Sequence, residues 1–430
     1  MLTVHLRVND EATGKPTPVR LRISDASGRF YPPLGRFAEF PTGRNEAVGG
    51  HLMLNGEAWC YIDGTCEVPL PAGVPLRLQA TKGPEFTPLD ETFTLGPGQM
   101  ALRFSIKRSS DLGSKGWYSG DSRCHFLTPH DAMLEAAAED LDVVNLLAVE
   151  EPFGGFRTAQ NLTAFSGQSA ALEARGHMIA VNTLNVHAAL GKVGLLYSHR
   201  PVFPLGARPS RPLGSAESPD EQSGRDGRAP REDWSLCDWC DQCHRKGGLT
   251  VWVDAFQESD EPFGGEALVA AILGKIDAIE ITAFSPPVME WIDRLWNAGF
   301  PIPLIGGSGK DSNTTALGAT RTYAQLREGE SFSYKAWIEA VRTGRSYVTD
   351  GTTRLPGLPP RAKKDGRSAA SDVFVAERPS DLAQGGSPGL IHAVEATRRW
   401  IEAAHHEQPK HQQKLLDRCN EALARLEASS

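Results

Sequence analysis

The sequence predicts a multidomain chain: an all-β sandwich first, then strands alternating with helices in a sheet, open or closed into a barrel, then a C-terminal helical pair. Three observations predict it. Short alternating runs such as TVHLRV, VRLRIS, PLRLQA and ALRFSI, parted by Gly, Pro, Asn and Asp turns, fill the chain from Leu2 to Arg108, and that texture is all-β. Beyond it, helical stretches repeatedly precede apolar runs, the pattern of a buried, mostly parallel sheet. The chain closes with Leu, Ile, Ala and Trp recurring at helical spacing against charged faces. A length of 430 residues also favours several cores over one.

The expected boundaries follow in order. Residues 1–110 form the sandwich, 111–350 the α/β region, and 351–430 an irregular linker, a short strand at DVFVA and the helical pair. Within the middle region DAMLEAAAEDL leads to DVVNLLAVE, CDWCDQCHRKGG to LTVWVDAF, GGEALVAAILGKI to DAIEITAF, and VMEWIDRLWNAGF to PIPLIGGSG. Residues 207–233 are rich in Pro, Gly, Ser and charge and read as a mobile surface loop. In such a sheet the ligand site belongs at the C-terminal strand ends. AVEEP, DAF, TAF and GGSGKDSN fall there.

Composition narrows the partners. Asp and Glu number 53 against 45 Lys and Arg, a formal charge of -8, which argues against general binding to nucleic-acid phosphates or anionic membranes. No apolar run approaches the roughly 20 residues of a bilayer span, and MLTVHLRVND lacks a signal-peptide leader. The expectation is therefore a cytoplasmic protein, or an exported one if the N-terminus is truncated. The seven cysteines show no regular disulfide framework.

Four stretches carry candidate chemistry. In GDSRCHFLTPHD, Asp121 and His125 could ligate a divalent ion, whereas the guanidinium of Arg123 suits an anion or a salt bridge. The plainer alternative is a structural Asp–Arg pair with a hydrogen-bonded His. Asp254 in VWVDAF and Ser308, Lys310 and Asp311 in IGGSGKDSN sit where apolar strands give way to loops. GGSGK lacks the spacing of a P-loop, so its glycines could simply permit the turn, while Lys310 and Ser308 could hold an oxyanion. Cys237, Cys240, Cys243 and His244 in CDWCDQCH echo metal-binding runs, but no second cluster closes the site and an amphipathic helix accounts for them. His187 and His199 in NVHAALGKVGLLYSHRP could face the same mouth, near Glu150 and Glu151, or be ordinary structural histidines.

Taken together, GWYSGDSRCHF, AAAEDLDVVNLL, HRKGGLTVW, PLIGGSGKDSN, LGATRTYA and AWIEAVRTGRSYV resemble, in that order, the CehA/McbA-type metallohydrolases of the PHP (polymerase and histidinol phosphatase) superfamily. The resemblance spans roughly Trp117 to Thr349 and implies a distorted α/β barrel. The sandwich and terminal helices resemble extensions in a bacterial branch of that group. Members carry GDxHxH, which Asp121 and His125 match while Arg123 replaces the first His. The Glu before the family's LGH motif falls at Leu184 and the His of LGH at Lys192. The His after the GG pair becomes Asp254, and the Asp of GGTD becomes Gly309, with Asp311 two places on.

What the resemblance implies is a metal-dependent hydrolase of a phosphoester, carbamate or amide bond with an atypical site. One divalent ion (Zn, Mn or Fe) would rest on Asp121, His125, Asp254 and Asp311, with none bound if the site is degenerate. His125, His199 and Lys310 would serve catalysis, and Arg123, Lys192 and Ser308 the substrate. Arg123 and Lys192 pointing inward would repel a metal pair. The alternative is a metal-free barrel binding an anionic small molecule or a carbohydrate; a third is a scaffold.

Overall fold

Strands with one buried face must find a partner sheet, and the N-terminal strands find each other. The computed structural model of the chain describes residues 1–37, 48–153, 156–159, 161–187, 190–203, 234–257, 262–358, 386–404 and 409–429. One N-terminal sheet has four strands in the order β5 (Thr65–Leu70), β1 (Leu2–Asp10), β9 (Ala101–Arg108) and β7 (Phe86–Thr87). The other has five: β3 (His51–Leu54), β4 (Glu57–Ile62), β2 (Val19–Asp25), β6 (Pro75–Thr81) and β8 (Leu89–Thr94). Val4, Leu6 and Val8 of β1 meet Leu21 and Ile23 of β2 and Leu76, Leu78 and Ala80 of β6 in one core. The alternation of β1 thus buries every second side chain between the sheets.

The second region is a twelve-stranded sheet, nearly closed into a barrel. Its strands are β10 (Trp117–Cys124), β11 (Val143–Phe153), β12 (Phe156–Ala159), β13 (Leu172–Ala174), β14 (His177–His187), β15 (Gly191–Leu196), β16 (Leu249–Val253), β17 (Ala278–Ile281), β18 (Leu304–Gly306), β19 (Arg321–Gln325), β20 (Ser346–Thr349) and β21 (Arg354–Pro356). Along the main path β10, β11, β14, β16, β17, β18 and β20 run one way, and β15, β19 and β21 the other. The sheet is thus mixed rather than purely parallel. Its ends meet where Gly306 of β18 packs against Arg321 and Val348, a contact a Cβ would obstruct at 2.7 Å, and where the Gly306 N–H donates to Thr322 Oγ1 at 2.6 Å.

Helices α1 (Pro129–Ala138), α2 (Leu236–Arg245), α3 (Gly265–Ile272), α4 (Pro286–Asn297) and α5 (Tyr334–Arg342) connect the strands. Helix α1 starts on the Thr128 cap with Pro129 in its first turn, a pairing that stabilises a helix start by about 1 kcal/mol. Helix α5 fills the concave face: Tyr334, Trp337, Ile338 and Val341 join Val143, Leu147, Val149, Met178, Ala180 and Val251 in one cluster. Helices α2, α3 and α4 pack on the outside with α6 (Gly386–Ala403) and α7 (Pro409–Ser429). In α7 Leu415, Cys419, Ala422 and Leu426 are buried at helical spacing, and Arg418 ties the helix to Glu266 at 3.0 Å and Asp238 at 2.8 Å.

Helix α1 is also the seam with the sandwich. Arg20 and Tyr61 reach Glu139 at 2.6 and 2.9 Å, and the Gly50 N–H reaches Glu135 at 3.0 Å. No described helix is long and apolar enough to cross a membrane. The 207–233 loop and the DVFVA strand lie outside the described residues.

Candidate functional site

The C-terminal ends of β10 and β16 and the start of β15 bring Asp121, Arg123, Asp254 and Lys192 of the sequence pattern together, beside Glu280 of β17. Asp121 sits within β10, where the pairing with β11 shifts register between Asp121 and Cys124, the kind of irregularity that re-aims a side chain. Asp121 is fully buried. Its Oδ1 accepts the backbone N–H of Arg123 at 3.0 Å and of Ser308 at 2.9 Å, and its Oδ2 that of Gly318 at 2.8 Å. Burial raises its carboxyl against these bonds. Behind it a polar relay runs to α5: the Asn145 side chain donates to the Asp121 carbonyl at 3.0 Å, and Tyr334 donates to Asn145 at 2.5 Å.

Arg123 is the centre of the cluster. Its Nε donates to Glu280 at 2.8 Å and its Nη2 to Asp254 at 2.7 Å. Lys192 takes the other Asp254 oxygen at 2.7 Å, and Ser122 the other Glu280 oxygen at 2.9 Å. The Glu280 side chain is 0% exposed and that of Arg123 10%, so water screens this pair little. Burial raises the Glu280 carboxyl, with Arg123 opposing it. Burial would raise Asp254 too, but Arg123 and Lys192 outweigh it and hold that carboxyl below the usual range. Asp254 itself has φ 51°, Phe256 two residues on has φ 57°, and Phe126 just after β10 has φ 48°. Three non-glycine residues in the left-handed region on mouth loops are a local cost of the kind that gathers at functional sites.

Gly307 and Gly309 make room for this arrangement. A Cβ at Gly307 would stand 2.2 Å from Ser122 Oγ and 2.8 Å from Glu280, and one at Gly309 2.9 Å from the Arg123 guanidinium. His125 is 7% exposed, with Nδ1 3.3 Å from the Leu147 carbonyl. Burial first, then Arg123, lowers its pKa to about 4. A neutral ring donating from Nδ1 keeps Nε2 as an acceptor. Asp311 is exposed and close enough to His125 to act on its charge.

Two expected members stand elsewhere. His199 follows β15, which runs antiparallel to β14 and pairs Leu196 with Leu249 at the start of β16. That places it beyond the opposite end of the barrel from Asp254, exposed, with its N–H on the Lys246 carbonyl at 3.0 Å. Lys310 follows β18 as expected but turns inward. It is 0% exposed, donates to the carbonyls of Thr315 at 2.7 Å and Ser312 at 3.3 Å, and faces buried Glu135 at 3.6 Å. It is therefore a structural cation rather than a mouth residue that holds an anion. Ser308 holds Asp121 through its backbone N–H and accepts the Lys310 N–H on Oγ at 3.3 Å.

Glu280 was not among the candidates drawn from the sequence. Its signal was a lone carboxylate inside the apolar run AIEI, since a buried carboxylate needs a partner. Cys237, Cys240 and Cys243 lie in the apolar core against Leu236 and Trp239, burial pushes their thiols up, and His244 turns to Asp277 at 2.9 Å. Leu184 is a core residue of β14. The side chains of Glu150 and Glu151 lie outside what the structure describes.

At Asp121 and Asp254 the donor chemistry does not fit the divalent ion that the resemblance implies. Both oxygens of Asp121, Asp254 and Glu280 already receive hydrogen bonds, and a guanidinium and an ammonium stand beside the last two. Among the described residues no group of three His, Cys, Asp or Glu side chains gathers as a metal would need.

No family model matches the chain, and no curated protein matches it. Among solved structures it is similar to the crystal structure of PsfC from Pseudomonas syringae PB-5123, at 15% identity, covering 52% of this chain and 88% of that one, with a TM-score of 0.33. A likeness of that size carries no argument about fold or function.

Proposed function

We propose that this chain is a PHP-like barrel of the CehA/McbA kind whose metal site has been replaced by an internal salt-bridge cluster, and that its mouth binds a neutral, polyhydroxylated small molecule of the carbohydrate class. The observation that carries this is Arg123, locked between Glu280 and Asp254 at 2.8 and 2.7 Å. Its charge, with that of Lys192, meets the three carboxylates of Asp121, Asp254 and Glu280, so no excess positive charge is left for an anion. The anionic ligand expected from Arg123, Lys192 and Lys310 is accordingly less favoured than a neutral one, and Lys310 is spent on Glu135.

Hydroxyl groups both donate and accept. The N–H groups of Arg123 and Lys192 beyond those spent on Glu280 and Asp254, together with Nε2 of His125, offer both partners side by side. Beside Asp254 lies an aromatic cluster, with Phe256 5.8 Å from Trp291 and Phe263 4.8 Å from Trp291. Half-buried Phe263 and Trp291 pack on the outer helical core, with Arg294 over the Trp291 ring at 4.9 Å, and keep some apolar surface exposed of the kind that lines small-molecule sites. Calorimetric titration with a panel of neutral mono- and disaccharides tests this. At least one should bind one per chain and lose affinity in Lys192→Ala, whose side chain is 44% exposed and safe to truncate. Binding of small anions at the mouth with no saccharide bound would overturn it.

A second reading is kept by one observation, the neutral His125 ring with Asp311 beside it. His125 Nε2 and Asp311 would then be the residues to hold one ion, and that ion would supply Lewis-acid chemistry for a hydrolase.

A further inference from the structure

The end of the barrel opposite the mouth holds a cavity of about 790 Å³, walled by the sandwich on one side and by residues at the N-terminal ends of β11 and β14 on the other. That volume lies within the range of small-molecule sites, which favour domain junctions. Of the eight charged side chains on its walls, Arg108, Asp140, Arg175 and Asp63 are paired in place, while Asp10, Lys15, Asp142 and Lys82 form no ion pair among the described residues. Arg108 bridges Glu85 at 3.2 Å and Asp140 at 2.9 Å, and Arg175 pairs with Asp63 at 2.7 Å.

Lys82 is not matched. It is 6% exposed, and its ammonium donates to the carbonyl of Pro18 at 3.2 Å and to that of Ala137, above the Phe86 ring at 5.5 Å. Neither partner is charged, and among the described residues no carboxylate forms an ion pair with it. Burial disfavours the charge of Lys82 and lowers its pKa; Asp140 opposes this from nearby but gives its oxygens to Arg108. An ammonium has three N–H donors, and two are used. A cation taken out of water without a counter-charge is costly, and here the cavity is where a counter-charge fits. His177 stands on the wall with Nδ1 at 2.7 Å from the Leu141 carbonyl, which leaves Nε2 for a ligand hydroxyl.

We propose that this interdomain cavity binds a small oxyanion-bearing metabolite, a carboxylate or a phosphate, whose anionic oxygen takes the remaining N–H of Lys82. The site is separate from the mouth and does not depend on the reading of it. Calorimetric titration of the full chain with malate, whose hydroxyl can donate to His177 Nε2, with inorganic phosphate and with glucose tests it. One oxyanion should bind at one per chain while glucose gives no heat that depends on Lys82. Lys82→Met should weaken that binding at least about tenfold, His177→Ala should weaken it from the opposite wall, and Lys192→Ala at the mouth should leave it unchanged. Malate alone binding names a carboxylate, and phosphate alone a phosphate. If neither binds, or if binding survives both Lys82→Met and His177→Ala, the proposal is wrong. Should Lys82→Met fail to fold, Lys82→Gln carries the same expectation.

Discussion

Replacing Arg123 by Leu should destabilise the protein strongly at alkaline pH and much less in acid. The substitution removes two charged hydrogen bonds, at 2.8 Å to Glu280 and 2.7 Å to Asp254. Asp254 keeps Lys192 at 2.7 Å; Glu280, with its side chain 0% exposed, keeps only the Ser122 hydroxyl. Removing one partner of a buried pair costs about 3–5 kcal/mol because the other charge is stranded. For a chain of 430 residues unfolding as one unit that lowers Tm by roughly 3–6 °C. Burial already raises the Glu280 carboxyl, and losing Arg123 raises it further. Since its folded value then lies above the unfolded one of about 4.3, the variant is penalised increasingly as pH rises above that value. Urea midpoints at pH 5 and pH 8 measure this. The double variant Arg123→Leu/Glu280→Leu should regain at least half of the loss at pH 8, because an apolar pair replaces a buried ionic one at little cost. A single variant within about 1 kcal/mol of the parent at pH 8, or a double variant worse than the single, would refute the cluster as described.

Two further predictions concern protons. Burial, then Asp140 and Glu85 nearby, pushes the Asp142 carboxyl up to about 7 despite the N–H and hydroxyl of Ser119. The folded chain therefore holds that proton more tightly than the unfolded one, and stability falls as pH rises from about 4 through about 7, by a total on the order of 4 kcal/mol. Asp142→Asn keeps an oxygen for Ser119 and should flatten this slope, which urea midpoints across that range would show. His125, with a folded value of about 4 below the ordinary one near 6.5, gives the opposite limb: stability complete above that ordinary value and lost as pH falls toward 4. NMR titration of the ring should place its midpoint well below those of exposed histidines, and a midpoint above 6 would remove the neutral acceptor from the site.

Periodicity carried the sheet-rich N-terminal region and the helical pair, because burial on one face writes a period of two or of 3.6 into the chain. Direction is not written that way. An apolar run such as GLLY reads the same whichever way the strand runs, so His199 was expected at the mouth until β15 proved antiparallel. Lys310 was misjudged for a related reason: a Lys in a Gly-rich loop reads as exposed, and only the fold shows Glu135 of α1 waiting inside. Asp121, Arg123, Lys192 and Asp254 do converge, because residues ending neighbouring strands must share an edge. Their mutual neutralisation required Glu280, whose apolar surroundings concealed it.

The most direct measurement is the metal content of untagged protein by elemental analysis, before and after incubation with zinc, manganese and iron. The salt-bridge account predicts well under one ion per chain in every case, and no change in that value in His125→Ala. One ion per chain that is lost in His125→Ala and in Asp311→Ala would contradict it and establish the hydrolase reading instead.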